Sequence, residues 1–301
     1  LFMLAAPSKS FKTAFALMFA GEFLKKYDDG VILFYDSEFG SPESYYDSFG
    51  VDKERVIHTP ITNIEDLKFD ITIQLQNIDK KDHVFILIDS VGNLASKKEV
   101  EDAIDQKSVA DMTRAKQFKS LYRIITPHLN LKDVWCIAVN HVYKEQSLFP
   151  RDIVSGGTGG MYSSDTVWTI GKQQDKDTST SEISGYNFVI NIEKSRHVKE
   201  RTKIPITVSY QGGIQKYSGL DAFALSGGFI VKGAKGKYNS VNMETGEILA
   251  EARVKTIGTN EEFWDPILKN PKFKEYITSK LSISHNQQSD VDTETYEDED
   301  I

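Results

Sequence analysis

Apolar residues fall along the chain in two alternating patterns. Residues 1–5, 31–35, 84–88 and 135–139 are short, continuous apolar runs of strand length. Runs of that kind suit strands buried on both faces of a parallel sheet. Between them, residues 13–27 place Ala14, Phe15, Leu17, Met18, Ala20, Phe23 and Leu24 at helical spacing. Residues 64–78 and 109–128 also read as helices, residues 42–49 as a short helix closed by Gly50, and residues 56–58 as a short strand. This alternation predicts an α/β fold, a mostly parallel central sheet flanked by helices on both faces.

From residue 165 the pattern changes. Residues 166–170, 187–193 and 203–210 read as strands with no helix between them, so hairpins are expected to extend the sheet. Further on come Gly-rich turns, a hairpin around residues 244–247 and a short helix at 261–268. The expected domains are a core over 1–220, a small C-terminal α+β subdomain over 221–281, and a disordered acidic tail over 282–301.

Composition narrows the class. Of 301 residues, 40% are hydrophobic and 27% charged, which excludes disorder of the whole chain. No apolar run approaches the length of a membrane span. Cys136 is the single cysteine, so an intrachain disulfide is excluded and a reducing, cytoplasmic setting is expected. The net charge of −8 is concentrated in the last twelve residues, which hold seven acids and no base. Such runs are solvated brushes or interaction tails. Leu1 is not an initiator Met and opens inside an apolar run, so the chain is expected to enter its first strand part-way, as a fragment.

Chemistry gathers at the strand ends. Ala6-Pro7-Ser8-Lys9-Ser10-Phe11-Lys12-Thr13 lies between the first strand and the first helix. Its Lys-Thr pair and spacing are those of the phosphate loop G-x-x-x-x-G-K-[ST], with Ala6 and Phe11 in place of both glycines. The chemistry needs backbone N–H groups converging at a helix N-terminus, which non-glycine residues of ordinary dihedrals can supply. Lys12 would then reach the β- and γ-phosphates and Thr13 would hold Mg²⁺; the alternative is a plain helix start with a surface lysine. Asp89 ends the 84–88 run, where parallel sheets place ligands, and either holds Mg²⁺ or caps the next helix. Glu38 follows the 31–35 run, placed to polarise a water or to serve a turn. Asn140 and His141 end the 135–139 run, and a polar group there can report on a γ-phosphate. Together these segments describe an ATP site on one sheet edge.

The chain resembles the RecA-family recombinases, and among them the T-even phage type. The strings that carry the resemblance are residues 7–12, 34–40, 55–60, 92–99, 111–116, 193–196 and 212–214, within a likeness running from residue 1 to about 280. It implies a RecA-like ATPase core using ATP and Mg²⁺. Pro7, Ser8, Lys9, Ser10, Phe11, Lys12 and Thr13 would cradle the phosphates, Thr13 and Asp89 the metal, and Tyr45 the adenine. Glu38 matches the general base, and His141 stands where the family usually has a Gln that links the γ-phosphate to a DNA loop. Lys194 and Arg196 match basic residues that reach a neighbouring subunit's ATP, as an arginine finger does; pairing with Glu193 is the local alternative.

The resemblance also implies two DNA-binding loops. One falls near residues 95–111, with Lys97, Lys98 and Arg114 as its cations. The other falls near 142–162, with Tyr143, Lys144, Phe149 and Arg151, and with Gly156, Gly157, Gly159 and Gly160 expected to keep it mobile until DNA orders it. The implied partners are single-stranded and duplex DNA, further copies in a helical filament, a recombination mediator and a single-strand-binding protein, in the cytoplasm of a phage-infected bacterium and with no membrane. The family's filament-building segment would precede residue 1, so polymerisation is expected to be weakened. The acidic tail resembles regulatory tails that restrain DNA uptake. The implied activity is a DNA-dependent ATPase that pairs and exchanges strands. A ring helicase motor and a non-hydrolysing scaffold are the alternatives, and Glu38 argues against the latter.

Overall fold

The computed structural model describes residues 1–40, 43–106, 113–145, 152–176 and 182–283. The core alternates strand and helix through β1 (Phe2–Ala6), α1 (Lys12–Lys26), β2 (Val31–Asp36), α2 (Glu43–Asp47), β3 (Val56–Pro60), α3 (Ile64–Asn77), β4 (Val84–Asp89), α4 (Lys97–Ile104), α5 (Thr113–Lys132) and β5 (Trp135–Lys144). Then follow β6 (Asp152–Val154), α6 (Thr158–Ser163), β7 (Thr166–Lys176), β8 (Ile183–Ser195), β9 (Lys203–Ser209) and β10 (Gly213–Ile214). The main sheet runs β10-β9-β8-β7-β1-β5-β4-β2-β3, with β6 added to β5. From β7 to β3 the neighbours are parallel, and from β7 outward through β10 they are antiparallel.

The strand period explains the layers. Met3 and Ala5 join an apolar cluster with Leu67 and Ile71 of α3 and Leu121 and Ile125 of α5. Leu4 and Ala6 point the other way, into a cluster with Phe15 and Leu17 of α1 and with Phe188 of β8. Successive side chains on a strand face opposite sides, so an uninterrupted apolar run requires helices on both. α3 begins where the Asn63 side chain accepts from the Asp66 N–H, with Glu65 and Asp66 in its first turn, where the helix dipole favours acids.

A third apolar cluster lies beyond the sheet, around Trp264, which is fully buried and donates from Nε1 to the Ile257 carbonyl at 2.7 Å. It is enclosed by α7 (Leu220–Ser226), the antiparallel sheet β11 (Ile230–Lys232), β12 (Lys237–Val241) and β13 (Ile248–Arg253), and by α8 (Glu261–Leu268) and α9 (Pro271–Leu281). Among the described residues no helix is long and apolar enough to cross a membrane. The acidic tail, residues 284–301, lies outside the described residues.

Several elements depart from the sequence reading. Residues 97–104, expected within a loop, form α4, because Ser96 and Glu99 make a reciprocal capping box that satisfies its first N–H groups. α5 is described from Thr113 to Lys132, four residues past the expected end at 128, and its expected start at residues 109–112 lies outside the described residues. β5 runs on to Lys144, since β6 pairs with its end. α6, α7 and α9 were not foreseen from spacing.

Arg55 closes the core at its far edge. Its Nε donates to the Gly30 carbonyl at 2.9 Å and its Nη1 to Leu24 at 3.1 Å, while Nη2 donates to Tyr27. Leu24 lies in the last turn of α1 and Tyr27 caps it, so one guanidinium satisfies carbonyls that the helix leaves open. Arg55→Ala should lower stability by about 2 kcal/mol, because bonds to a charged donor are worth more than neutral ones. A lower urea midpoint at unchanged slope would show it; an unchanged midpoint would refute it.

Candidate nucleotide site

Parallel register brings the ends of β1, β2, β4 and β5 to one edge. Ala6 lies beside His141, Asp36 beside Asp89, and Ile88 beside Ala138. The loop leaving Ala6 turns at Lys9 and Phe11, whose φ values of 58° and 59° are left-handed. The expectation of ordinary dihedrals at the substituted positions is therefore wrong for Phe11, although Ala6 stays in its strand. A left-handed residue with a Cβ costs about 1–2 kcal/mol. Packing offsets this, because the Phe11 ring lies 5.2 Å from that of Phe188 on β8, against which Phe15 also packs. Lys172 Nζ donates to the Lys9 carbonyl at 3.0 Å and holds the outer turn. Pro7 and Ser8 are exposed at its crest.

The inner side of the loop is charged and dry. Lys12 is buried, and its Nζ folds back to the Pro7 carbonyl at 3.0 Å. Burial lowers the Lys12 pKa, opposed by the charges of Glu38 and Asp89. Thr13 donates from Oγ1 to the Asp89 carboxylate. Burial pushes the Asp89 pKa up to about 6, against the pull of that bond; the charges of Glu38 and Asp36 push the same way, and Lys12 opposes. Ser10 Oγ is buried and has no hydrogen-bond partner among the described residues.

These residues fit a magnesium nucleotide. The Ser10 hydroxyl lacks an acceptor, Lys12 holds a neutral carbonyl where an anion would serve better, and Asp89 is charged at a cost that a cation would remove. Among the described residues no cluster of three or more His, Cys, Asp or Glu could hold a metal alone. Mg²⁺ is usually held by one or two carboxylates with substrate phosphates, so Thr13 and Asp89 suffice on the protein side.

Glu38 is positioned by a turn. Asp36, itself buried, accepts at Oδ1 from the N–H groups of Glu38 at 2.9 Å and Phe39 at 2.8 Å, while its Oδ2 meets His58 Nε2 at 3.1 Å. Glu38 Oε1 accepts from Ser90 Oγ at 2.8 Å and lies 2.8 Å from His141 Nε2. Ser90 Oγ is 3.1 Å from the same nitrogen. His141 foremost, then Ser90, holds the Glu38 pKa down to about 2 despite burial. Its ionised form thus adds stability above its ordinary 4.5, lost as pH falls through about 2. Serine and acid share one imidazole nitrogen, unlike a relay in which a histidine bridges them through two. Behind His141, Asn140 accepts the His141 N–H at 2.8 Å and donates to the Ser155 carbonyl at 3.0 Å, and the Ser155 N–H donates to the His141 carbonyl at 2.8 Å. Tyr45 is half-buried, edge-on to Phe49 at 5.1 Å; burial raises its pKa, and the Asp89 charge adds to this. Beside the loop a cavity of about 670 Å³ opens between Phe11, Phe49, Tyr186, Tyr210 and Ile214.

The RecA N-terminal domain family matches residues 3–215. The chain belongs to the RecA family. A second family, described as the C-terminal domain of the bacteriophage T4 recombination and repair protein, matches residues 217–277. The recombination and repair protein of Enterobacteria phage T4 is 50% identical over 281 residues, covering 92% of this chain and 71% of that protein.

Lys194 and Arg196 stand far from this RecA-family loop. Thr166 of β7 lies beside both Phe2 and Ser195, so both cations sit at the start of β1, the opposite end of the sheet. Lys194 Nζ donates to the carbonyls of Met161 at 3.0 Å and Tyr162 at 2.9 Å; Arg196 Nε meets Asp165 at 3.0 Å. Glu193, the local partner weighed from sequence, accepts instead from Thr169 Oγ1 at 2.7 Å.

The residues assigned to DNA divide. Lys97 pairs with Asp66 at 2.7 Å, and Lys98 with Asp102 at 2.9 Å. Arg114 donates from Nε to the Leu94 carbonyl at 2.8 Å and from Nη2 to Gly92. Tyr143 and Lys144 are exposed on the β5–β6 hairpin. Phe149 and Arg151 lie outside the described residues. Gly156 and Gly157 take left-handed φ values, 83° and 80°, leading into α6. The glycines do not simply loosen this segment: a Cβ on Gly160 would lie 2.5 Å from Met3 Cε, and one on Gly156 3.0 Å from the Phe118 ring. Their absence of side chains lets α6 seat closely against β1 and α5.

Asp36, Ser90 and Gly92 escaped the sequence reading as site residues. The Asp-Ser-Glu spacing of an Asx turn was a usable signal for Asp36; Ser90 and Gly92 act through register and close approach. Because the Asp89 pKa is raised, its ionised form costs stability above about pH 6, and the cost fades as pH falls toward its ordinary 3.8. Asp89→Asn should stabilise the nucleotide-free chain by about 3 kcal/mol at pH 8 and by well under about 1 kcal/mol at pH 4. Urea midpoints at both pH values measure this; a loss of stability at pH 8 would refute it.

Proposed function

We propose that this RecA-family recombinase is a DNA-dependent ATPase that assembles on single-stranded DNA and catalyses homologous pairing and strand exchange in recombination and repair. The observation that carries the reading is the meeting of Lys12, Thr13 and Asp89 with Glu38 and His141 on one sheet edge. Lys12 exchanges the Pro7 carbonyl for phosphate oxygens. Thr13 and Asp89 hold Mg²⁺, and Tyr45 with the adjoining cavity receives the base. ATP supplies the phosphoryl group whose transfer to water is the reaction. Glu38, held ionised, orients that water, and His141 links Glu38 to Ser155, within the stretch that would bind DNA; its contacts with both support this.

Lys194 and Arg196 act on a neighbour. They lie at one end of the sheet and the loop at the other, so a head-to-tail stack brings the cations of one copy to the nucleotide of the next. Such a heterologous contact that does not close propagates as a filament. Charge developing on the transferred phosphoryl would be stabilised from across the boundary.

Steady-state ATP hydrolysis should rise strongly with single-stranded DNA, and the stimulation should fade as salt increases. ATP bound but turned over at the same rate with and without DNA would reject the reading. Lys12→Ala and Lys194→Ala should each abolish turnover. An equal mixture should recover about a quarter of parental activity, since that share of head-to-tail boundaries joins two intact half-sites. Recovery of none would place Lys194 in its own chain's chemistry.

A further inference from the structure

We propose that Arg114 is a positioning residue for the Glu38–His141 pair rather than a DNA contact. The inference rests on the roles given above to Glu38 and His141.

Arg114 stands in the first turn of α5. Its guanidinium grips the turn Val91–Asn93 and its exit, donating to Gly92 and, at 2.8 Å, to Leu94. The same group lies over the Phe118 ring, 5.6 Å from its centroid. Two donors of a planar fork and one aromatic face fix the group in direction as well as distance.

The gripped turn has no slack toward the site. A Cβ on Gly92 would stand 2.6 Å from Asn140 Oδ1, 2.8 Å from His141 Cδ2 and 3.0 Å from the His141 N. Gly92 is thus in contact with the residue that holds Glu38, and two residues before it Ser90 bonds the same carboxylate oxygen. Any displacement of the 91–94 turn moves both groups that meet Glu38 Oε1. Arg114 sets where that turn lies. A guanidinium spent on two carbonyls of its own chain is also poorly placed to neutralise a phosphate.

The test compares Arg114→Ala, Arg114→Lys and Gly92→Ala in the full chain, reading ATP turnover, nucleotide affinity and the salt dependence of binding to single-stranded DNA. All three should lower kcat at least about tenfold while nucleotide Kd stays within about twofold, since misplacement of a catalytic group falls on the chemical step. Lysine should not rescue, because one ammonium cannot reproduce the two-pronged bond. The slope of log affinity against log salt should equal that of the parent. A slope reduced by about 0.7 in Arg114→Ala, restored with turnover in Arg114→Lys, would make Arg114 a phosphate contact and overturn the inference. Failure of the parent itself to bind DNA or to hydrolyse ATP would instead reject the proposed function.

Discussion

Two carboxylates side by side at the ends of adjacent parallel strands govern this structure. Asp36 and Asp89 are register partners on β2 and β4, and both are almost fully buried. Like charges in so dry a place are expensive unless each is engaged. Asp36 is engaged by two backbone N–H groups and His58, and the turn so formed aims Glu38. Asp89 has the Thr13 hydroxyl and a distant Lys12, and it remains the strained member, with its pKa displaced to about 6. The geometry of the site follows from how these two acids are accommodated. Under the function proposed above, activity and stability pull apart at Asp89, as they commonly do where a fold keeps a charge for a ligand.

The sheet has two chemically different ends. One gathers the Pro7–Thr13 loop and the acids; the other carries Lys194 and Arg196, docked on the end of α6 and on Asp165. A polarity of this kind gives a subunit a donor end and an acceptor end. Asn140 and Ser155 join the nucleotide edge to the start of the Gly156–Gly157 turn, while Lys194 holds the end of the helix that follows. The segment from Ser155 to Tyr162 is thus tied at one end to the edge that carries the acids and at the other to Lys194, the cation proposed above to reach a neighbour.

Much of this was legible in the sequence, for physical reasons. A parallel strand buried on both faces must read as an unbroken apolar run, so β1, β2, β4 and β5 were visible, together with the polar residues at their ends. Lys12 and Thr13 follow the first strand at a spacing that few other arrangements need. What escaped were features set by contacts remote in sequence. α4 rests on a capping box in a polar stretch without apolar periodicity. α6 is rich in glycine, which reads as looseness until Met3 and Tyr122 are found against Gly160, and Phe118 against Gly156 just before it. The bonds of Arg114, a DNA cation by resemblance, were not legible either, because the carbonyls it grips carry no side-chain signature.

Phe11 has a wider consequence. A glycine turn is floppy when empty, and part of the affinity for phosphate is spent on freezing it. Here the corresponding residue is anchored by its ring to Phe188, in the antiparallel half of the sheet. The turn at Phe11 is held by packing once the chain folds, so the loop of the proposed site draws on the antiparallel hairpins as well as on the parallel strands that carry the acids.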